Sequence, residues 1–343
     1  MYILRKETYR MFVPVVDHNQ NPLMPTTPSR ARRWVKSGKA TPFWKRGVFC
    51  VRLNGEPSDR QTQPIAVGID PGSKKEGWSV KSAAHTYLNI QADAVNWVKE
   101  HVEQRRNMRR LRRYRQTPCR QPRANRARGG LPPSTKARWQ WKLCLARWLS
   151  KLFPISVFVV EDIKAKTSGQ RRWDVSFSPL EVGKQWFYQQ LAGLGQVLIR
   201  SGWETQQMRD ALGLKKTNKK TAEVFEAHCV DAWVLANSVT GGHLQPDNRQ
   251  MLIVVPLRFH RRQLHRLQPA KGGKRLPYGG TISLGLKRGS LVRHPRWGLT
   301  FVGGSSGGRL SLHCLRSGKR LTQSAKREDV RYLCFCSWRF YGE

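Results

Sequence analysis

At 343 residues the chain is long enough to bury a substantial core and to divide into two or three units. Its 63 Lys and Arg stand against 22 Asp and Glu, a formal net charge of +41, so the folded chain repels itself and calls for a polyanion whose phosphates it neutralises. With 39% hydrophobic and 10% aromatic residues, and basic residues in every segment, neither a disordered basic tail nor an anionic membrane surface accounts for this charge. The start, MYILRKETYR, lacks the apolar stretch of a signal peptide, and no segment is apolar for long enough to span a membrane. Seven scattered cysteines (Cys50, Cys119, Cys144, Cys229, Cys314, Cys334, Cys336) form no CxxC, which argues against structural zinc and for free thiols in a reducing cytoplasm.

In chain order, MFVPVV (11–16) predicts a strand and the stretch after it, DHNQNPLMPTTP, a turn-rich segment. Thr27 followed by Pro28 predicts a helix start; that helix stops at Gly38, and PFWKRGVFCVRL returns as one or two strands. Residues 54–64 read as a linker. Ile65–Ile69 predicts a buried strand ending at Asp70, followed by a second strand from Trp78 and a third over His85–Ala92. A helix is expected from about Ala94 through QRRNMRRLRRYRQ, then an irregular basic arm over 116–133. Ser134 is the expected cap of a helix with the stripe Ala137, Trp141, Cys144, Leu145, Trp148, Leu149 and Leu152. ISVFVV (155–160) predicts a buried strand that delivers Glu161 and Asp162 at its end. Beyond the polar stretch 164–176, a helix is expected from Glu181 to about Ser201, a short strand near Trp203–Met208, a Lys-rich loop (LKKTNKKT) and the helix HCVDAWVLANSV. Short β-type runs after residue 275 (SLVRH, LTFVG, RLSLHCL, DVRYLCF) predict a small, strongly basic β-barrel-like domain.

The order of three meandering strands, helix, strand, helix, strand and helix matches an α/β, RNase H-like fold with the first and fourth strands adjacent. Asp70 and Glu161 would then lie side by side, with Asp231 brought opposite them by the last helix. Each residue has a plainer reading: Asp70 as a turn former, Glu161 and Asp162 as solvated strand-end charges, His228 as a structural histidine. Together they suggest a cation site, because clustered carboxylates repel unless a cation lies between them. Two Mg²⁺, with Mn²⁺ as substitute, suit such an oxygen-rich site in phosphodiester cleavage. His228, three residues before Asp231, is a candidate ligand or general base. Glu161 is preferred to Asp162 because it directly follows the apolar run.

Arg105, Arg106, Arg109, Arg110, Arg112, Arg113 and Arg115 leave only Met108, Leu111 and Tyr114 as a narrow apolar seam. A helix charged on nearly every side cannot enter an apolar core. It fits a phosphate backbone on both flanks, and RNA is the preferred partner.

These segments resemble the IsrB family, transposon-associated relatives of IscB. PLMP (22–25) resembles the signature of the family's N-terminal domain; VGIDPGS (67–73), FVVEDI (158–163) and HCVDAWVLA (228–236) resemble its three RuvC motifs. RRNMRRLRRYR (105–115) sits where the family has its arginine-rich bridge helix, and PYGGT (277–281) with the β-rich tail is similar to its domain for a target-adjacent motif. The resemblance implies a split RuvC nuclease core arranged as a PLMP domain (1–55), RuvC part I (65–93), bridge helix and arm (94–133), RuvC parts II and III (134–249) and a C-terminal domain (250–343). The 66 residues between Glu161 and His228 hold no histidine or cysteine, so the HNH nuclease that IscB carries there is absent. The resemblance therefore implies an RNA-guided nickase that loads a long noncoding RNA and cuts the displaced strand of double-stranded DNA. It also implies a monomer within a ribonucleoprotein, in the prokaryotic cytoplasm and at the nucleoid when bound to DNA. An unguided RuvC-like junction resolvase and a catalytically silent RNA-binding accessory protein are the rival readings.

Overall fold

The computed structural model describes residues 12–116, 131–162, 164, 179–258, 267–268, 273–274 and 281–342. The first eleven residues, the basic arm over 117–130 with Cys119, the polar stretch over 165–176 and positions 277–280 of PYGGT lie outside the described residues. The chain forms two compact units: Met1–Thr62 with Ile90–Ala92 and Gln250–Glu343, and Gln63–Asn89 with Asp93–Arg249.

The N-terminal segment contains β1 (Val13–Val16), β2 (Pro22–Thr26), α1 (Pro28–Lys36), β3 (Ala40–Lys45) and β4 (Val48–Leu53), with sheet order β2-β1-β4-β3. Thr27 caps α1 by accepting from the Arg30 amide at 3.4 Å, and Pro28 opens the helix, as the sequence predicts. PLMP is not turn-rich: it lies in β2, antiparallel to β1. The turn is confined to residues 17–21, where Asp17 Oδ1 accepts from the Asn21 amide at 2.8 Å, and Pro22 begins the strand where its missing N–H costs least.

The second unit contains β5 (Ile65–Asp70), β6 (Lys75–Lys81), most of β7 (Thr86–Asp93, of which Ile90–Ala92 count with the first unit), α2 (Trp97–Tyr114), α3 (Pro133–Leu149), β8 (Ile155–Asp162), α4 (Pro179–Ala192), β9 (Gln196–Ser201), α5 (Gly202–Ala211) and α6 (Phe225–Thr240). Its strands run in the order β7-β6-β5-β8-β9. β5 is antiparallel to β6 and parallel to β8, and β8 is parallel to β9. This meander followed by parallel crossovers is the RNase H-like order expected from the sequence.

Three expectations fail here. The helix expected to run to Ser201 ends at Ala192, and QVLIRS forms the strand β9; the strand expected near Trp203–Met208 is the helix α5. Gly193 and Gly195 interrupt the helix, and Val197, Leu198 and Ile199 then extend against β8. Ser201 and Glu204 form a capping box, the start signal for α5 that the sequence reading passed over. Ser134 is not the cap of α3, which begins at Pro133 with Pro132 in the cap position. The helix also buries Trp139, Lys142 and Leu143, outside the expected stripe.

The chain continues through β10 (Met251–Pro256), two short hairpins of β11 (Leu267–Gln268) with β12 (Gly273–Lys274) and β13 (Ile282–Ser283) with β14 (Leu286–Lys287), then β15 (Ser290–His294), β16 (Gly298–Ser306), β17 (Arg309–Cys314), β18 (Arg320–Ala325), β19 (Arg331–Phe335) and β20 (Trp338–Gly342). Five strands form an antiparallel sheet in the order β18-β17-β16-β15-β19, packed on Val292, Val302, Leu310, Leu312 and Ala325. This is an open order with β18 and β19 at its ends rather than the expected barrel. β10 pairs with β20 outside that sheet, from Leu252 opposite Gly342 to Pro256 opposite Trp338.

Candidate active site

Alternation along two parallel strands builds the site. Successive side chains of a strand point to opposite faces. Ala66, Gly68 and Asp70 of β5 therefore share one face, and Val157, Val159 and Glu161 of β8 share the same one. Ala66, Val157 and Val159 pack there on Leu235 and Ala236 of α6. Asp231, one helical turn before Leu235, is brought over the ends of both strands. The approach is close because the sheet has no side chains in the way. A Cβ on Gly68 would overlap the carbonyl oxygen of Ala232, and one on Gly77 that of His228. The two glycines let α6 settle onto β5 and β6, and that depth carries Asp231 to the carboxylates.

The same alternation separates Glu161 from Asp162. Asp162 turns to the other face, where Lys184 of α4 pairs with it at 2.7 Å and the Tyr188 hydroxyl donates to it at 3.3 Å. Lys184 also pairs with Glu181 at 2.6 Å, which completes a structural network away from the site.

Asp70 and Asp231 are buried, and Glu161 stands partly exposed beside them. Burial first, then the charges of Asp70 and Asp231 and a hydrogen bond with Asp70, push Glu161 up to about 8. Lys216 opposes this, and Arg209 pairs with Asp231 alongside it. Lys216 Nζ lies 3.5 Å from Asp70 Oδ2 and also pairs with Asp231, and Arg209 Nη1 of α5 donates to Asp231 Oδ1 at 2.7 Å. Neither is a candidate in the sequence: Lys216 is one lysine among several in the loop before α6, and Arg209 one basic residue of α5.

His228 sits on α6 as expected, but its Nε2 lies 2.9 Å from the Lys220 carbonyl oxygen. The Thr217 amide donates to the Glu226 carbonyl at 3.0 Å, so the loop carrying Lys216 is tied to the start of α6 at two points. The loop after Asp70 is held from below. Lys142 of α3 pairs with the fully buried Glu76 at 2.8 Å and reaches the Gly72 carbonyl at 3.3 Å. Burial raises the Glu76 pKa, and Lys142 opposes that rise.

Among the described residues no group of three or more His, Cys, Asp and Glu stands arranged as a metal site. The donor set of Asp70, Glu161 and Asp231 nevertheless fits a hard divalent cation: it is all carboxylate oxygen and already converges on a positive charge, the Lys216 ammonium.

Residues 13–173 match the profile of a family described as RRXRR protein. No curated protein matches the chain. Thermus thermophilus RuvC in complex with a Holliday junction substrate aligns at 13% identity over 52% of this chain and 98% of its own, with a TM-score of 0.29. A second Thermus thermophilus RuvC structure aligns at 13% identity over 50% and 90%, with a TM-score of 0.27. A CRISPR-Cas12f ternary complex aligns at 13% identity over 64% of this chain and 50% of its own, with a TM-score of 0.32. The strand order, not these overlaps, identifies the fold.

The arginine segment lies on α2, none of whose residues is buried, with Arg115 in the cap position. Met108, Leu111 and Tyr114 are all exposed, Tyr114 at 88%, so the expected apolar seam faces away from the core. No described helix is long and apolar enough to cross a membrane. The six cysteines among the described residues are free thiols.

Proposed function

We propose that this chain is an RNA-guided DNA endonuclease of the IsrB type, which nicks the displaced strand through a metal-dependent RuvC site. The observation that carries this reading is the convergence of Asp70, Glu161 and Asp231 from β5, β8 and α6 around a cationic centre. Two Mg²⁺ held by these carboxylates would acidify the attacking water and offset charge at the scissile phosphate and its leaving oxygen. Asp70, Glu161 and Asp231 would hold the metal as ionised carboxylates, in place of the contacts that Asp70 and Asp231 make with Lys216 and Arg209. Lys216 and Arg209, beside the same carboxylates, would be placed to contact the phosphate of the strand being cut. His228 is assigned a positioning role, because it fixes the loop bearing Lys216 through the Lys220 carbonyl.

The exposed guanidinium face of α2, with Arg105, Arg106, Arg109, Arg110, Arg112, Arg113 and Arg115, supports RNA as the resident partner. The domain boundaries expected from the sequence are proposed with the function, the C-terminal β-rich part reading duplex beside the target. The test is to express the chain with its flanking locus and sequence the RNA that purifies with it. A discrete noncoding RNA of fixed scaffold length with a variable guide end is expected. Heterogeneous RNA, together with Mg²⁺-dependent cutting of branched DNA, would overturn the guided reading in favour of a resolvase.

A further inference from the structure

Most tryptophans of the second unit are spent on the core: Trp78, Trp139, Trp141, Trp148 and Trp233 are all buried. Trp203 is 65% exposed, and among the described residues no other tryptophan is classed as exposed. An indole left in water forgoes a large apolar burial, and the place of this one beside the carboxylate site gives it a use.

Trp203 is the second residue of α5, and its backbone is well fixed. The Glu204 amide donates to Ser201 Oγ at 3.2 Å and the Ser201 amide to Glu204 Oε2 at 2.6 Å, closing the capping box around it. Docking of the helix does not use the indole. Thr205 is fully buried, and Met208 packs against the cluster of Val157 and Val159. The residue before Trp203 is Gly202, where a Cβ would stand 3.5 Å from Glu161 Oε1. The first turn of α5 therefore forms the rim of the carboxylate site, and Trp203 is the aromatic on that rim. Arg200, paired in register with Glu161, adds a partly exposed guanidinium just before the helix.

We infer that Trp203 is a stacking platform for an unpaired nucleobase of the DNA strand entering the carboxylate site, a positioning residue that holds the backbone at the point of cutting. The inference rests on the nuclease reading above and names its substrate as single-stranded. A flat π-face accepts any base, which suits a site where the protein does not read the sequence it cuts. The partly exposed Arg200 guanidinium supplies a phosphate contact beside the stacked base.

The test compares the full chain with its co-purified RNA and the Trp203→Ala and Trp203→Phe variants. Each is titrated at raised salt with a fluorescent oligothymidylate and with an abasic oligonucleotide of equal length and charge. Wild type should prefer the base-bearing strand. Trp203→Ala should lose that preference, binding oligothymidylate roughly 10-fold more weakly with the abasic strand unaffected, while Trp203→Phe keeps most of it. Unchanged oligothymidylate binding by Trp203→Ala, or an equal loss for both strands, would overturn the inference. Mg²⁺-dependent nicking by wild type, measured in parallel, reports on the underlying reading. Lost base preference in Trp203→Ala with no nicking by wild type would keep the platform and sink the nuclease.

Discussion

At the level of single residues, the site is an electrostatic conflict settled by cations. Glu161 has its carboxyl pushed up to about 8, above the unfolded value near 4.5, so the folded state holds the proton more tightly. Its contribution to stability is complete below about 4.5 and is lost as pH rises through about 8. Glu161→Gln carries no such proton, so without divalent cation its melting temperature should exceed wild type by a few degrees at pH 9 and by less at pH 6. An equal difference at both values would contradict the assignment. Lys216 competes with any divalent cation for Asp70 and Asp231. Lys216→Met should bind Mn²⁺ roughly 10-fold more tightly by titration followed with electron paramagnetic resonance, and unchanged affinity would remove Lys216 from the site. Asp70 and Glu161 were legible from the sequence because each stands at the end of a strongly apolar strand, and Asp231 because it interrupts an apolar helix. Lys216 and Arg209 were not, since a basic residue in a chain of net charge +41 carries no local signal.

At the level of elements, close packing and buried charge set the geometry. Gly68 lies where α6 touches β5, and Gly68→Ala should destabilise the second unit by about 3 kcal/mol in urea unfolding, because the obstacle is backbone that cannot rotate away. Wild-type stability in that variant would mean that α6 does not sit where described. Lys142→Met leaves the buried Glu76 without its cation and should cost about 3–5 kcal/mol, while Lys142→Met combined with Glu76→Leu recovers much of it. The β5–β6–β7 meander, β8 and α6 were legible because short apolar runs and period-two alternation survive in the sequence. The segment 193–211 was misread. The half-exposed edge strand β9 has only the three-residue apolar run Val197–Ile199 and no clean alternation, and only the Ser201–Glu204 box marked the helix after it.

At the scale of the whole molecule, the charge of +41 and the exposed arginine face of α2 make one demand, a bound polyanion. Charge reversal at Arg109, Arg110, Arg112 and Arg113 should strip the co-purifying RNA, read as a fall in the 260 to 280 nm absorbance ratio, and leave the circular dichroism of the core intact. Full RNA recovery would move RNA binding to another surface. The open β18-β17-β16-β15-β19 sheet was legible as a β-rich region but not as an open order, because strand count and closure depend on pairings between distant segments. In the proposed function, three carboxylates form one cation-dependent centre that cuts one strand. The most direct measurement is strand-resolved cleavage of a guide-matched duplex by the protein–RNA complex, with and without Mg²⁺, for wild type and Asp70→Ala. A single nick in the displaced strand that requires both Mg²⁺ and Asp70 is the predicted result; cutting that persists in Asp70→Ala, or in chelator, would contradict it.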